Sequence, residues 1–237
     1  MAGHNKWSQI KHKKAKNDSS RGKAFTKLIK EITIAARSGG GDPAGNPRLR
    51  LLIEKAREIN MPLDNTQRAI KRGTGELPGV NYEAFTYEGY GPNNIAIMVD
   101  TLSDNKNRTV AEFRRLFSSN GGALGENGSV GWMFERQGVI RVSGNTTEDE
   151  LLEKLIEHDI KDIQKDESLF TIYADVKQLY HIKQLIADAG LKVESAEIEW
   201  VASTVVDLTE EQSTKVYEFL EALEDHEDVQ NVYSNVG

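Results

Sequence analysis

The stretch from Gly138 to Ala202, GVIRVSGNTTEDELLEKLIEHDIKDIQKDESLFTIYADVKQLYHIKQLIADAGLKVESAEIEWVA, decides the fold. Val139 to Val142 reads as a strand. Glu148 to His158 follows as a helix, with Thr147 placed to cap it. Strands Ile160 to Gln164 and Leu169 to Ala174 come next. A second helix, Val176 to Ala189, stops at Gly190 and leads to strand Lys192 to Val201. The sequence β-α-β-β-α-β is the order of a ferredoxin-like unit.

On its C-terminal side the pattern continues with strand Thr204 to Leu208, helix Glu210 to Glu224 and strand Val229 to Tyr233. On its N-terminal side stand strands Tyr82 to Glu88 and Asn94 to Leu102. A helix from Asn107 to Ser119 then turns Val110, Phe113, Leu116 and Phe117 inward. Asn120 to Gly128 is expected to be a flexible loop. In the strand after it, Val130, Trp132 and Phe134 alternate onto one face, which assigns these aromatics to the core rather than to a base-stacking platform. The β-β-α-β of the middle segment is incomplete, and the β-α-β of the tail completes it. This predicts a discontinuous domain, 80–136 plus 203–237, with residues 137–202 inserted.

Residues 1–79 read as helices. Phe25, Leu28, Ile29, Ile32 and Ala36 fall at helical spacing, and Lys23, Lys27, Lys30 and Arg37 lie off that stripe, extending a positive surface. Ser38 and Gly39-Gly40-Gly41-Asp42-Pro43 stop this helix. Asn46 and Pro47 open the next, with Leu49, Leu52, Ile53, Ala56 and Ile59 inward and Arg48, Arg50, Lys55 and Arg57 mostly outward. A third helix starts near Asp64, carries Ile70 inward and ends at Gly73. Leu77-Pro78-Gly79 marks a boundary. The fold class is therefore α+β: an N-terminal basic three-helix bundle over 1–79, a discontinuous α/β middle domain and an inserted ferredoxin-like domain.

Charge is distributed by region. Residues 1–30 hold nine Lys or Arg against the single acid Asp18, a net of +8 in a chain whose formal total is -7. Residues 1–79 hold 17 Lys/Arg against 7 Asp/Glu, a net of +10, and residues 137–237 hold 8 against 23, a net of −15. Between Asn5 and Lys23 only Trp7 and Ile10 are large and apolar, too few for a core, so the arm is expected to stay solvated until an anionic partner orders it. A polyanion fits, because each cation meeting a phosphate releases a condensed counterion. The candidate contacts are His4, Lys6, Trp7, Lys11, His12, Lys13, Lys14, Lys16, Arg21, Lys23, Lys27 and Lys30. The acidic remainder would orient the molecule basic end first.

Several classes fall away. The absence of cysteine removes disulfides, thiolate metal sites and a cysteine nucleophile. His4, His12, His158, His181 and His226 form no H-x-x-x-H pair, so no metal site is expected. The glycine run at 39–41 lacks the Lys-Ser/Thr of a phosphate-cradling loop, and Gly89-Tyr90-Gly91 lacks the rest of a dinucleotide fingerprint. Asp100 and Asp104 could hold magnesium at a strand end, but strand-end turns collect Asp and Asn for backbone reasons. No apolar run approaches the roughly 18 residues of a membrane span, and no secretory signal is present. The expectation is a cytoplasmic, non-enzymatic protein without cofactor, an organelle matrix being the second choice.

Specific stretches carry a family resemblance: GHNKWSQIKHKKAKND from Gly3, RGKAFTKLIKEITIAAR from Arg21, GGGDP and NPRLR. They continue with MP, DN and QRAIKRGTGEL between Met61 and Leu77, YEGYGP from Tyr87, LSDNKNRTVAEFRRLFSSNGG from Leu102 and GSVGWMFE from Gly128. These resemble the YebC family of bacterial regulators across essentially the whole chain. The departure is Asn93-Asn94 after YEGYGP, where the family pattern has small residues. The resemblance implies three domains with an inserted ferredoxin-like unit. It also implies function: bacterial members are described as DNA-binding transcriptional regulators or ribosome-associated factors, mitochondrial relatives as translational activators. It supplies no catalytic residues.

Three functions compete. In a DNA-binding regulator the arm and bundle grip phosphates, which positions without specifying sequence. No outward Arg/Asn/Gln cluster on a recognition helix is evident. In a translation factor the arm threads into ribosomal or other structured RNA and Trp7 stacks on an unpaired base. In a scaffold the acidic domains bind a protein. The family description tips the balance toward DNA.

Overall fold

The computed structural model describes residues 21–166 and 169–237, which form two compact units. The first unit comprises residues 21–130 and 208–234, the second residues 131–207 and 235–237.

The first unit opens with helix α1 (Arg21–Gly39), α2 (Pro47–Glu58) and α3 (Leu63–Thr74). Leu28, Ile32, Ala35, Ala36, Leu49, Leu52, Ala56, Met61 and Ala69 form their common core. Asn46 is the joint between the first two. Its Oδ1 accepts from Leu49 N at 3.1 Å, capping α2, while Nδ2 donates to Ala35 O at 2.8 Å and Gly40 O at 2.9 Å. The third helix does not end at Gly73, as its glycine suggested; it runs to Thr74, with Gly75 in the left-handed conformation at φ +83°. Gly73 serves packing instead. A Cβ there would lie 2.4 Å from Thr33 O, so the α1–α3 crossing requires its absence.

In the same unit a four-stranded antiparallel sheet has the order β3-β1-β2-β8. Its strands are β1 (Glu83–Tyr90), β2 (Ala96–Ser103), β3 (Ala123–Leu124) and β8 (Val229–Ser234). β8 arrives after the whole inserted unit and pairs with β2 through Val99↔Val232 and Ile97↔Ser234. Helices α4 (Lys106–Ser119) and α7 (Glu210–Glu224) supply Phe113, Phe117, Val216, Phe219 and Leu220 to its core. The rings meet edge to face: Tyr87 with Phe113 at 5.1 Å between centroids, Phe117 with Phe219 at 5.0 Å. Asn93 and Asn94 both have φ +58°, a region asparagine enters more readily than other side-chain-bearing residues. That accommodates the departure from the glycine-like pattern.

The expected flexible loop at 120–128 is partly built into the sheet. Ala123 and Leu124 pair with Tyr90 and Gly89, and Glu88 accepts hydrogen bonds from Gly128 N at 2.8 Å and Val130 N at 2.9 Å. The strand expected through Val130, Trp132 and Phe134 is also corrected. Gly131–Met133 is a 3-10 turn and the strand begins at Phe134. Val130 and Phe134 are buried, but Trp132 is 75% exposed, because the turn breaks the alternation that would have carried it inward.

The second unit is ferredoxin-like. Strands β4 (Phe134–Ser143), β5 (Ile160–Asp166), β6 (Leu169–Ala174) and β7 (Lys192–Ala202) form an antiparallel sheet in the order β5-β6-β4-β7. Helices α5 (Glu148–Leu155) and α6 (Leu179–Asp188) make the two crossovers. Thr147 and Glu150 form a reciprocal capping box at the start of α5. Ile140, Val142, Leu151, Leu155, Phe170, Ile172, Leu179, Ile182 and Ile186 fill the space between sheet and helices. The strand expected from Thr204 to Leu208 is reduced to one parallel bridge, Val206↔Val236.

Candidate nucleic-acid interface

Of the residues expected to contact a polyanion, His4, Lys6, Trp7, Lys11, His12, Lys13, Lys14 and Lys16 lie outside the described residues. Arg21 opens α1. The remaining three, with Arg37, recur on one side of that helix at i, i+4, i+7 and i+14, which is one turn-related stripe. Lys23, Lys27 and Lys30 face the protein's own acidic segment, and Arg37 faces the 80–82 segment. Lys23 Nζ is 2.8 Å from Asp225 Oδ1, both side chains more than half exposed, and Lys27 Nζ donates to Glu224 O at 3.0 Å. Arg37 donates to Asn81 Oδ1 and, at 3.2 Å, to Val80 O.

Lys30 is the extreme case. It is 5% exposed, and its ammonium donates to Asp228 Oδ1 at 2.8 Å, Glu227 O at 2.9 Å and Leu102 O at 3.2 Å. Its charge is consumed inside the unit, so Lys30 is withdrawn from the phosphate-facing set. The same geometry corrects the expectation that the lysines off the apolar stripe of α1 extend the positive surface of the arm. A second stripe of that helix packs on the 224–228 segment and neutralises there.

Asp228 is fully buried. Besides Lys30 it accepts from Thr109 Oγ1 at 2.8 Å, Ser103 Oγ at 3.0 Å and the Arg108 guanidinium at 3.0 Å. Burial alone would raise its pKa. The hydrogen bonds from Lys30, Arg108 and Thr109 outweigh that and hold it at about 2. The site is a structural lock joining α1, α4, the end of β2 and the start of β8.

The outward cations of the bundle are different. Arg48, Arg50, Arg57 and Lys71 are exposed, and their side chains make no ion pair among the described residues. Neither α2 nor α3 places an acid to neutralise all of them, though Arg68 is held by Asp64 at 2.7 Å.

The remaining candidates resolve into structural roles. Asp100 accepts from Thr86 Oγ1 at 2.7 Å and Asp104 from Arg108 at 2.9 Å. His158 and His181 stack edge to face at 4.9 Å, and His226 Nε2 lies 2.7 Å from Glu112. No group of three or more metal-ligating side chains converges among the described residues. No helix there is long and apolar enough to cross a membrane.

Sequence reasoning missed Asp228, one acid in the run Glu224 to Asp228. The signal was the register of Lys23, Lys27 and Lys30 at i, i+4 and i+7, complementary to that run. It also missed the buried Arg141–Glu199 pair between β4 and β7, bidentate at 2.6 Å and 3.1 Å, since a lone Arg in an apolar strand does not name its partner.

Comparison with known proteins places this architecture in a defined class of multidomain α+β proteins. The model of the TACO1/YebC N-terminal domain matches residues 5–76, and that of the TACO1/YebC second and third domain matches residues 82–236. The chain belongs to the TACO1/YebC family. A "Probable transcriptional regulatory protein" of Chlorobaculum tepidum is 53% identical over 100% of this chain and 95% of its own length. A similarly named protein of Persephonella marina is 51% identical over 99% of this chain and 95% of its own. The crystal structure of a conserved hypothetical protein from Aquifex aeolicus superposes with a TM-score of 0.87 at 47% identity, covering 98% of this chain and 96% of that one.

Proposed function

We propose that this protein is a non-enzymatic, nucleic-acid-binding regulator of transcription whose basic N-terminal arm and bundle grip the phosphates of DNA. The observation that carries this reading is the concentration of charge: six Lys or Arg against the single acid Asp18 in residues 1–22, a net of +5 in a chain that totals -7. The exposed, unpaired Arg48, Arg50, Arg57 and Lys71 continue that charge onto the bundle. Lys6, Lys11, Lys13, Lys14, Lys16 and Arg21 are the main phosphate contacts, His4 and His12 are added donors, and Trp7 stacks. Lys23 and Lys27 join only by exchanging their present partners. The names carried by the relatives support a role in transcription.

The test is crosslinking of nucleic acid to the protein in cells, followed by sequencing, with a variant lacking residues 2–22 as control. Clustered promoter DNA, lost with the arm, is the expected result. Ribosomal or transfer RNA recovered at fixed positions would overturn the DNA assignment and make the protein a translation factor.

A further inference from the structure

The first unit neutralises many of its cations where they stand: Lys23 on Asp225, Lys30 on Asp228, Arg68 on Asp64, Arg108 on Asp104 and Asp228. Helix α4 breaks that habit at Arg114 and Arg115. Both are exposed, and neither side chain has an ion pair or hydrogen bond among the described residues. The helix buries Thr109, Phe113 and Phe117. At about 3.6 residues per turn, Ala111 and Ser118 then lie along the line opposite Phe113, and the two arginines straddle that line. Ala111 and Ser118 are themselves exposed. The acid within that part of the helix, Glu112, lies off this ridge and is engaged by His226 at 2.7 Å.

We infer that α4 is a second phosphate-contact surface, on which Arg114 and Arg115 close on a nucleic-acid backbone from the two sides of the Ala111–Ser118 ridge. This rests on the nucleic-acid reading above and extends it to the sheet-bearing part of the unit. The chemistry favours phosphate. Guanidinium forks match phosphate oxygens, and a ridge of methyl and hydroxymethyl side chains lets a backbone come close. A protein partner would need an apolar centre to its interface. None of the exposed large hydrophobic residues, Leu63, Leu77, Val80, Trp132, Leu152, Ile156 and Tyr180, stands on α4.

The experiment is a salt titration of binding by the full chain to a short DNA duplex and to an RNA hairpin, read by fluorescence anisotropy. Four variants accompany the native chain: R114Q/R115Q, R114K/R115K, a deletion of residues 2–22, and K154Q/K177Q as a charge-matched control in the other unit. Neutralising both arginines makes the plot of log affinity against log salt shallower by about two units, and the lysine pair restores most of the slope. The control keeps the native slope. A native slope in R114Q/R115Q, with weakened binding in the arm deletion, overturns the α4 surface and leaves the nucleic-acid reading standing. No binding of either probe by the native chain overturns both.

Discussion

Lys30 Nζ lies 2.8 Å from Asp228 Oδ1, a buried pair that joins residues 198 positions apart. Removing one partner of such a pair strands the other charge away from water, at a cost of about 3–5 kcal/mol. Asp228 also serves Ser103, Thr109 and Arg108, so its loss orphans more donors than the loss of Lys30. Asp228→Ala is therefore expected to lower the urea midpoint more than Lys30→Met, with both below the native chain. Equal midpoints for all three would show that the lock contributes nothing.

The same carboxylate sets an acid limit. Its folded pKa of about 2 lies below the ordinary value, so its contribution to stability is fully present above the unfolded pKa near 4. It is lost as pH falls from there through about 2, because protonation then favours the unfolded chain; the full contribution is about 2–3 kcal/mol. The stability gap between the native chain and Asp228→Asn should be constant from pH 7 to about 5 and narrow below about 4. A gap that does not change down to pH 3 would assign the stabilisation to another group.

Gly73 offers a test of sign. In an exposed helix interior Gly→Ala stabilises by about 1 kcal/mol. Here the new Cβ would meet Thr33 O at 2.4 Å and the Ala36 methyl at 2.7 Å. Gly73→Ala should therefore destabilise by about 1–3 kcal/mol, the usual cost of overpacking. A rise in melting temperature would mean that α1 and α3 separate without cost.

For the arm, about six cations on phosphates give a salt slope of roughly −5, near a thousandfold loss of affinity between about 50 and 200 mM salt. A flat response would sink the arm as an electrostatic contact. Trp7→Ala distinguishes stacking: a loss of about 1–3 kcal/mol for unpaired nucleic acid, with duplex binding unchanged, identifies a base on the indole.

Much of the fold was legible because local signals agreed. Asn46-Pro47 opens a helix, Gly190 closes one, and the spacing of Leu179, Ile182 and Ile186 belongs to a buried helical face. The expected helix Glu210 to Glu224 has the bounds of α7, whose start is fixed by the Thr209 cap and the acids of its first turn. What failed depended on distant partners. Trp132 looked like the middle of an alternating strand, yet a 3-10 turn lifts it out. The lysines of α1 looked like solvent-facing charge because their partners are supplied by the 224–228 segment, almost two hundred residues away. Charge density announces a polyanion site only where the chain has not supplied its own counterion.

The placement of β8 also bears on how the protein is made. The sheet begun at Glu83 gains its fourth strand only when Val229 to Ser234 is available, after the ferredoxin-like unit has been synthesised. Until Asp228 emerges, Lys30 has no carboxylate at its station, and the ion pair that ties the first helix to the start of β8 is missing. The fourth strand of the sheet and the counterion of Lys30 thus arrive together, so this unit is completed by its C-terminal segment rather than by the order in which its helices are made.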